Sequence, residues 1–545
     1  MSDTSRSRAD AEFSRRALLY GAAGGGAALA IAATGLPRAA AAPRGQAGAG
    51  GQITTAWGRY PLTFNPIDPV GGIERTVWQL TTSRLINKDV DGKIIPDFAE
   101  SWEISEDGLT YTFHLAQNAK WTDGTPVTAR DVAVTYTFAT DIKTGGKGFT
   151  PASTMAVIEG VAEFLAGTAD SVSGIQVVDD HTITFKLSQP DATFFNIIAG
   201  YYGPYLVPAH VVGDVAAAEF DQHEYNTNPV NRVGMGPYIL TEAIKDQDLI
   251  FTRNDNFFKG APIIESFIYR VMQPDVALTA LLSGEIDVAN IPASEYPTVS
   301  QDDRIKTITY DVNLWNGLMF NMTVPDLQDP RIHQAVLHSL DRETYAKKIL
   351  NDLGTPWDSI YVQEQWVSPN IVKYEYDPEK AKSLLTEAGW DSNRVVEWKY
   401  YNPFFATLAP VLQQGLADIG FKINPVELET ATWVEQYQAG EFEFSVVGGG
   451  GITDDPSELV NYFQCDVWSR YCNQEVLDLF EQGRTEVDPA KRKPIYDQIQ
   501  ETINRDLPWF PLFSIIAAVG FSKSVNAVAY SSYDYLYYEK WSLTE

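Results

Sequence analysis

The chain has 545 residues, 44% hydrophobic and 21% charged, so it can bury several cores and is not a disordered polymer. At about 150 residues per domain that length predicts two to four domains. Acidic residues number 71 against 41 basic ones, and the net charge of −30 gives a surface that repels nucleic acid.

The amino terminus reads as an address. Residues 1–16 are polar and end in Ser14-Arg15-Arg16, and Ala17-Leu18-Leu19-Tyr20 then opens an Ala- and Gly-rich apolar run reaching Leu36. Small residues follow at Ala39 to Ala42, as at a signal-cleavage site. The Arg pair before a weakly apolar stretch resembles a twin-arginine (Tat) signal. Residues 1–42 are therefore expected to be removed on export to the periplasm. With no cysteine near the exit, a lipoprotein anchor is not expected. Residues 43–52 are a Gly/Ala-rich, flexible lead-in, and the mature chain is expected to be soluble and monomeric.

Strand and helix signals then alternate. Thr110 to Leu115 alternates polar and apolar residues, as a half-buried strand does. Ile175 to Val178, Asp179-Asp180 and Thr182 to Leu187 read as strand, turn, strand. Thr128 with Asp131 three residues later reads as a helix N-terminus. Asp329-Pro330, Asp377-Pro378 and Asp488-Pro489 each put a capping acid before a proline at the first helical position. Ile332, Val336 and Leu340 follow the first, Ala381, Leu384, Leu385 and Ala388 the second, and Ile495, Ile499 and Ile503 the third. Strands dominate the first half and helices the second, which predicts two lobes of α+β character.

Catalytic motifs are missing: no two histidines flank a Glu in metalloprotease spacing, and there is no Gly-x-Ser-x-Gly elbow or phosphate loop. Gly234-Met235-Gly236-Pro237-Tyr238 starts like a dinucleotide fingerprint, but Pro237 blocks the turn into a helix. Asn87, Asp89, Asp91 and Gly92 imitate a calcium loop whose closing Glu is replaced by Phe98, so they read as a polar turn. His333 and His338 are five apart and point to different helix faces, which argues against a metal pair. No metal, cofactor or enzymatic activity is expected. Cys465 and Cys472, with six residues between them, are either a disulfide or two buried thiols, and the export signal favours the disulfide.

Six stretches in order resemble the family 5 extracellular solute-binding proteins of ABC importers, the oligopeptide, dipeptide and nickel-binding group. They are Pro96 to Phe113, Trp121 to Val132, Gly234 to Tyr238, Leu282 to Val288, Phe320-Asn321 through Asp329-Pro330 to Glu343, and Tyr376 to Ala381. The resemblance implies an α/β, two-lobed periplasmic-binding-protein-like fold with an extra strand-rich subdomain in the N-terminal lobe. It places lobe I at 53–310 (subdomain about 71–225), lobe II at 311–510 and a return to lobe I at 511–545. It also implies a function: the substrate-binding component of an ABC importer, closing by a hinge on a peptide-like solute and delivering it to separate permease and ATPase subunits. An oligosaccharide, opine or glycoside receptor is the alternative, followed by a nickel or metal-chelate receptor and a secreted hydrolase.

Candidate ligand residues follow from the same resemblance and from residue chemistry. Gly448 to Gly451 let backbone approach a ligand closely, and Gly449, Gly450 and Gly451 are assigned to it. Peptide-binding members carry an acid for the ligand amine in the matching loop, where this chain has Ile452, so Asp454 or Asp455 is expected to substitute or the ligand lacks that amine. Trp57, Gly58 and Tyr60 match a stretch near the ligand. Trp315 lies at an expected lobe crossing, and Tyr401 and Phe404 precede a helix of lobe II, with Trp366 and Trp433 as weaker candidates. The bridge between Cys465 and Cys472 would brace the glycine loop, as in related dipeptide binders.

Overall fold

The computed structural model describes residues 50–67, 72–141, 143–144, 155–200, 203–401, 403–449, 455–530 and 535–544. Residues 1–49, where the signal segment and most of the lead-in are expected, and Gly450, Gly451, Ile452 and Asp454 lie outside them.

Local rules act where the helices start. Thr128 and Asp131 form a reciprocal capping box, with the Thr128 N–H donating to the Asp131 carboxylate at 2.7 Å. Asp329, Asp377 and Asp488 accept from the backbone N–H of Arg331, Lys380 and Ala490 at 2.9, 2.9 and 3.0 Å. Each satisfies a donor that the first helical turn leaves open. Asp89 accepts from the N–H groups of Asp91 and Lys93, both at 3.0 Å, which makes the calcium-like stretch a polar turn. The dinucleotide-like glycines serve packing. A Cβ on Gly234 would meet the Thr81 carbonyl oxygen at 2.2 Å, and one on Gly236 the Thr81 carbonyl carbon at 2.5 Å.

Two long antiparallel strands, Ile305–Phe320 and Trp509–Ser522, run through the whole molecule. On one side they join Val288–Asn290, Gln52–Trp57 and Ser266–Val271, and on the other Phe444–Gly449, Val395–Tyr400 and Lys422–Glu427. The ladder between the long strands slips between Asp311, opposite Ile516, and Trp315, opposite Ser514. Asn313 sits in the slip with φ +52, a left-handed conformation that Asn tolerates better than most residues.

The cores divide at that slip. One cluster draws only on residues between Trp315 and Phe513, including Trp398, Phe444, Phe480, Ile499 and Trp509. A second is built around Ile53, Trp78, Phe267, Phe521 and Trp541. A third belongs to a subdomain whose four-stranded sheet contains Thr110–Leu115 and Thr182–Lys186, with Phe113, Tyr136 and Phe185 inside. The chain is thus two-lobed: lobe II holds the first cluster, and lobe I holds the second with the subdomain attached. Residues 509–514 pair with the lobe II stretch of the first long strand and residues 516–522 with its lobe I stretch.

Candidate functional site

Both lobes aim the same kind of edge at the slip. In lobe I, Gln52–Trp57 runs parallel to Ser266–Val271 and Val288–Asn290. Val288 faces Phe521 and Asn290 faces Val519, so these strands run toward the slip and end there at Trp57 and Asn290. In lobe II, Val395–Tyr400 runs parallel to Phe444–Gly449, and Gly449 is paired with Trp315. The carboxyl ends of that pair also reach the slip, with Tyr401 just beyond one and Gly448-Gly449 closing the other. The crevice outside the carboxyl ends of parallel strands is where open α/β sheets hold ligands.

The lobe I wall is fixed by an ion pair. Arg59 grips Glu74 through two hydrogen bonds of 2.6 and 2.9 Å, and Glu74 also accepts from the Leu62 N–H at 2.8 Å. Glu74 is fully buried, so the bidentate pair locks the turn that follows Trp57 onto the helix Gly72–Thr81. That turn presents a half-buried Trp57, an exposed Gly58 and a half-buried Tyr60. Burial, helped by the Asp246 charge, raises the Tyr60 hydroxyl pKa. Beneath Trp57 lies a cavity of about 70 Å³, lined also by Arg75, Thr76, Asn290, Tyr310 and Tyr538.

Lobe II contributes an aromatic row. Tyr401 lies 4.4 Å from Trp433, which stacks on Tyr437 at 5.2 Å. Burial lifts the Tyr401 hydroxyl to about 12, so it stays a neutral donor. Phe404 falls in the helix Pro403–Asp418, and its side chain is outside the described positions. Trp366 packs on Tyr496 at 5.4 Å. Cys465 and Cys472 are bonded, and the small ring carries Trp468, which stacks on Trp509 at 5.8 Å.

Two expected ligand residues have other employment. Trp315 is wholly buried: its indole N–H donates to the Ile360 carbonyl at 3.1 Å, and its ring packs 4.7 Å from Trp509. As a central-strand residue with partners on both sides it belongs to the lobe II core. Asp455 is 2% exposed and grips Arg492 through bonds of 2.9 and 3.0 Å. It also accepts from the Ser457 N–H and hydroxyl at 2.9 and 2.6 Å, capping the short 3₁₀ helix Pro456–Tyr462. A carboxylate so engaged is a structural anchor and not an open partner for a ligand amine. Both histidines face backbone as well, His333 against the carbonyls of Leu327 and Asp506 and His338 against that of Glu375. Among the described residues no three His, Cys, Asp or Glu side chains group as a metal site, and no helix is long and apolar enough to cross a membrane.

The sequence reading did not single out the helix Gly72–Thr81 or the cavity beside it. The helix Gly72–Thr81 is buried at nine of its ten positions, including Glu74, Arg75 and Gln79. A helix buried all round has no polar face on which a functional side chain would stand out.

The family model described as bacterial extracellular solute-binding proteins, family 5 Middle, matches residues 93–469. A Brucella ovis protein provisionally named an ABC transporter peptide-binding protein is 29% identical over 503 residues, covering 88% of this chain and 90% of that one. The oligopeptide-binding protein AppA from Bacillus subtilis, in complex with a nonapeptide, superposes with a TM-score of 0.73 at 23% identity, covering 91% of this chain and 99% of that one. The binding protein AgaA from A. tumefaciens R10, in complex with agropinic acid, gives a TM-score of 0.72 at 24% identity, with the same 91% and 99% coverage.

Proposed function

We infer that this chain, which belongs to the family 5 bacterial extracellular solute-binding proteins, captures a peptide-like solute in the cleft between its lobes and hands it to an ABC permease. The observation that carries this reading is the convergence of two sets of strand ends on one slip between the lobes. Trp57, Gly58 and Tyr60 come from lobe I, and Tyr401 and Gly449 from lobe II. The Brucella ovis relative, matched over most of both chains, supports a peptide as the solute. The Tat-like segment would place the mature chain outside the cytoplasmic membrane, where it would work as a monomer with separate permease and ATPase subunits. Capture needs no cofactor: closure brings backbone groups and flat rings onto the ligand and excludes water.

The test is titration calorimetry of the mature chain with short peptides, with the peptide recovered and weighed afterwards. One-to-one saturable binding with intact peptide supports the reading. Peptide consumed at substoichiometric protein would make the chain a hydrolase. Saturable binding confined to neutral oligosaccharides would move the same cleft to sugars.

A further inference from the structure

We propose that the loop after the helix Arg342–Lys348 is a pivot: lobe II seats Leu353 in lobe I beside the slip, and this seat fixes the axis about which the cleft closes. The proposal adds to the receptor reading the device that guides closure, and it rests on that reading only for the ligand-bound half of its test.

The two faces of the lobe I sheet are covered by different clusters, because neighbouring strand residues point to opposite faces. Val288 and Val519 join the cluster that holds Trp78 and Trp541. Ala289 and Ala518 join another, with Leu278 and Leu281 of the helix Pro274–Ser283. Among the described residues that second cluster is built from lobe I, from Ala56 to Ile305 and Ala518, with Leu353 as the exception. Leu353 is 7% exposed. Residues on both sides of it, Tyr345, Ala346, Ile360 and Tyr361, lie in the lobe II core. The chain thus leaves lobe II, plugs one side chain into lobe I, and returns.

The loop is built for that excursion. Asn351 and Asp352 turn it with successive left-handed conformations, φ +49 and +63, which these two residue types tolerate. The Asp352 N–H donates back to the Ala346 carbonyl at 3.1 Å. At the tip the Asn351 side-chain amide donates to the lobe I carbonyl of Ala293 at 2.8 Å. The Leu353 carbonyl accepts from the Ile516 N–H at 3.3 Å, and Gly354 to Pro356 then pair with Ile515 to Phe513. Ile516 is the residue opposite Asp311, where the ladder of the long strands slips. The seat therefore stands at the hinge itself, and groups beside a rotation axis move least when one body turns about it. Two strands alone leave lobe II free to twist and slide as well as to close. An apolar plug and an amide bond on one face of the sheet restrain those other motions. Fewer idle arrangements mean a larger fraction of chains able to close, and apparent affinity scales with that fraction.

The experiment reads the distance between the lobes by pulsed dipolar spectroscopy of spin labels. The labels are attached through Glu242→Cys in lobe I and Gln413→Cys in lobe II, both exposed positions. Cys465 and Cys472 are bonded to each other and do not compete for label. In the ligand-free mature chain, Leu353→Ala should widen the distance distribution, and Asn351→Gly should widen it less. Glycine keeps the left-handed backbone and drops only the amide, so Asn351→Gly decides the matter if Leu353→Ala fails to fold. With a saturating mixture of short peptides both distributions should narrow to that of the unmodified chain. Calorimetric titration with those peptides should show affinity about 3- to 30-fold weaker in Leu353→Ala. Unchanged ligand-free distributions in the folded variants overturn the pivot. Tighter peptide binding also overturns it, because the seat would then be a brake on closure. Both results leave the receptor reading standing. Absence of peptide binding by the unmodified chain overturns that reading, while the ligand-free distributions still decide the pivot.

Discussion

Asp191 and Arg484, 293 residues apart, form an ion pair that ties the lobe I subdomain to lobe II. Asp191 stands before the helix Phe194–Ala199 and is 1% exposed, while Arg484 sits in the last turn of the helix Gln474–Thr485 and is 30% exposed. The contact extends beyond the charges. The Ala192 N–H donates to the Arg484 carbonyl at 3.1 Å, and Asn196 reaches the Asp455 carboxylate at 3.4 Å. Asp191 is buried where the lobes meet, so removing its cation should raise the cost of holding the lobes together. Arg484→Ala should therefore weaken ligand affinity about 5- to 50-fold, mostly through faster release, with the unliganded melting temperature nearly unchanged. Stopped-flow binding with a tryptophan signal measures it. Unaltered release rates would mean that this pair does not hold the lobes together.

Asp455 and Arg492 make the opposite kind of pair, internal to lobe II and buried on both sides, with side-chain exposures of 2% and 6%. Arg492 is further held by the Gly483 carbonyl at 2.8 Å and the Tyr496 hydroxyl at 3.1 Å. Neutralising the acid strands a guanidinium that cannot lose its proton. Asp455→Asn should lower the unfolding free energy by about 3 kcal/mol. Its effect on ligand affinity should be small in protein that remains folded. Urea denaturation beside calorimetric titration separates the two, and a stable variant that has lost its ligand would return Asp455 to the binding site.

How much of this was legible in the sequence follows from the range of each interaction. The helix starts at Asp329, Asp377 and Asp488 were readable because cap and capped N–H lie within three residues of each other. The strand Thr110–Leu115 was readable because it alternates and one face is buried. Trp315 misled because an aromatic at a lobe crossing looks like a ligand contact until its neighbours in the sheet are known. The cavity beside the helix Gly72–Thr81 left no mark because that helix is buried at nearly every position. Asp191 and Arg484 left none either, since no local pattern joins residues that distant in sequence. The two-lobed architecture was readable chiefly through the family resemblance, with the shift from strand-rich to helix-rich halves as a weaker physical sign.

The ring closed by Cys465 and Cys472 carries two residues in left-handed backbone conformations, Trp468 at φ +47 and Arg470 at φ +56. Trp468 packs on Tyr437 and Tyr462 as well as on Trp509, and Arg470 donates to the Gln438 carbonyl at 3.0 Å. Opening the ring frees a short loop in the unfolded chain, worth about 2 kcal/mol. It also removes the constraint that keeps Trp468 stacked. The double variant Cys465→Ser/Cys472→Ser should lose about that much stability and show a changed near-UV dichroism from its tryptophans. A full near-UV spectrum with the stability loss alone would restrict the bridge to the entropic role.

His333 sets a pH dependence whose sign is fixed by its surroundings. The ring is buried, stacks on Phe320 at 4.3 Å, and lies between the Leu327 carbonyl at 2.7 Å and the Asp506 carbonyl at 3.0 Å. Desolvation lowers its pKa in the folded chain, although the two carbonyls and the charges of Asp329 and Asp506 pull the other way. The unfolded chain therefore takes up a proton first as the pH falls. The stability due to the neutral ring is complete above the unfolded value of about 6.5 and declines as the pH drops from there through the lower folded value. Burial lowers His338 as well, and it acts in the same direction. His333→Gln keeps a donor for one carbonyl and cannot titrate in this range. Its overall stability should fall, because the stack on Phe320 is lost, but its decline between pH 7 and pH 5 should be shallower than that of the unmodified chain. Urea midpoints at half-unit pH steps give both slopes, and equal slopes would mean that this ring is not what the acid side of the profile reports.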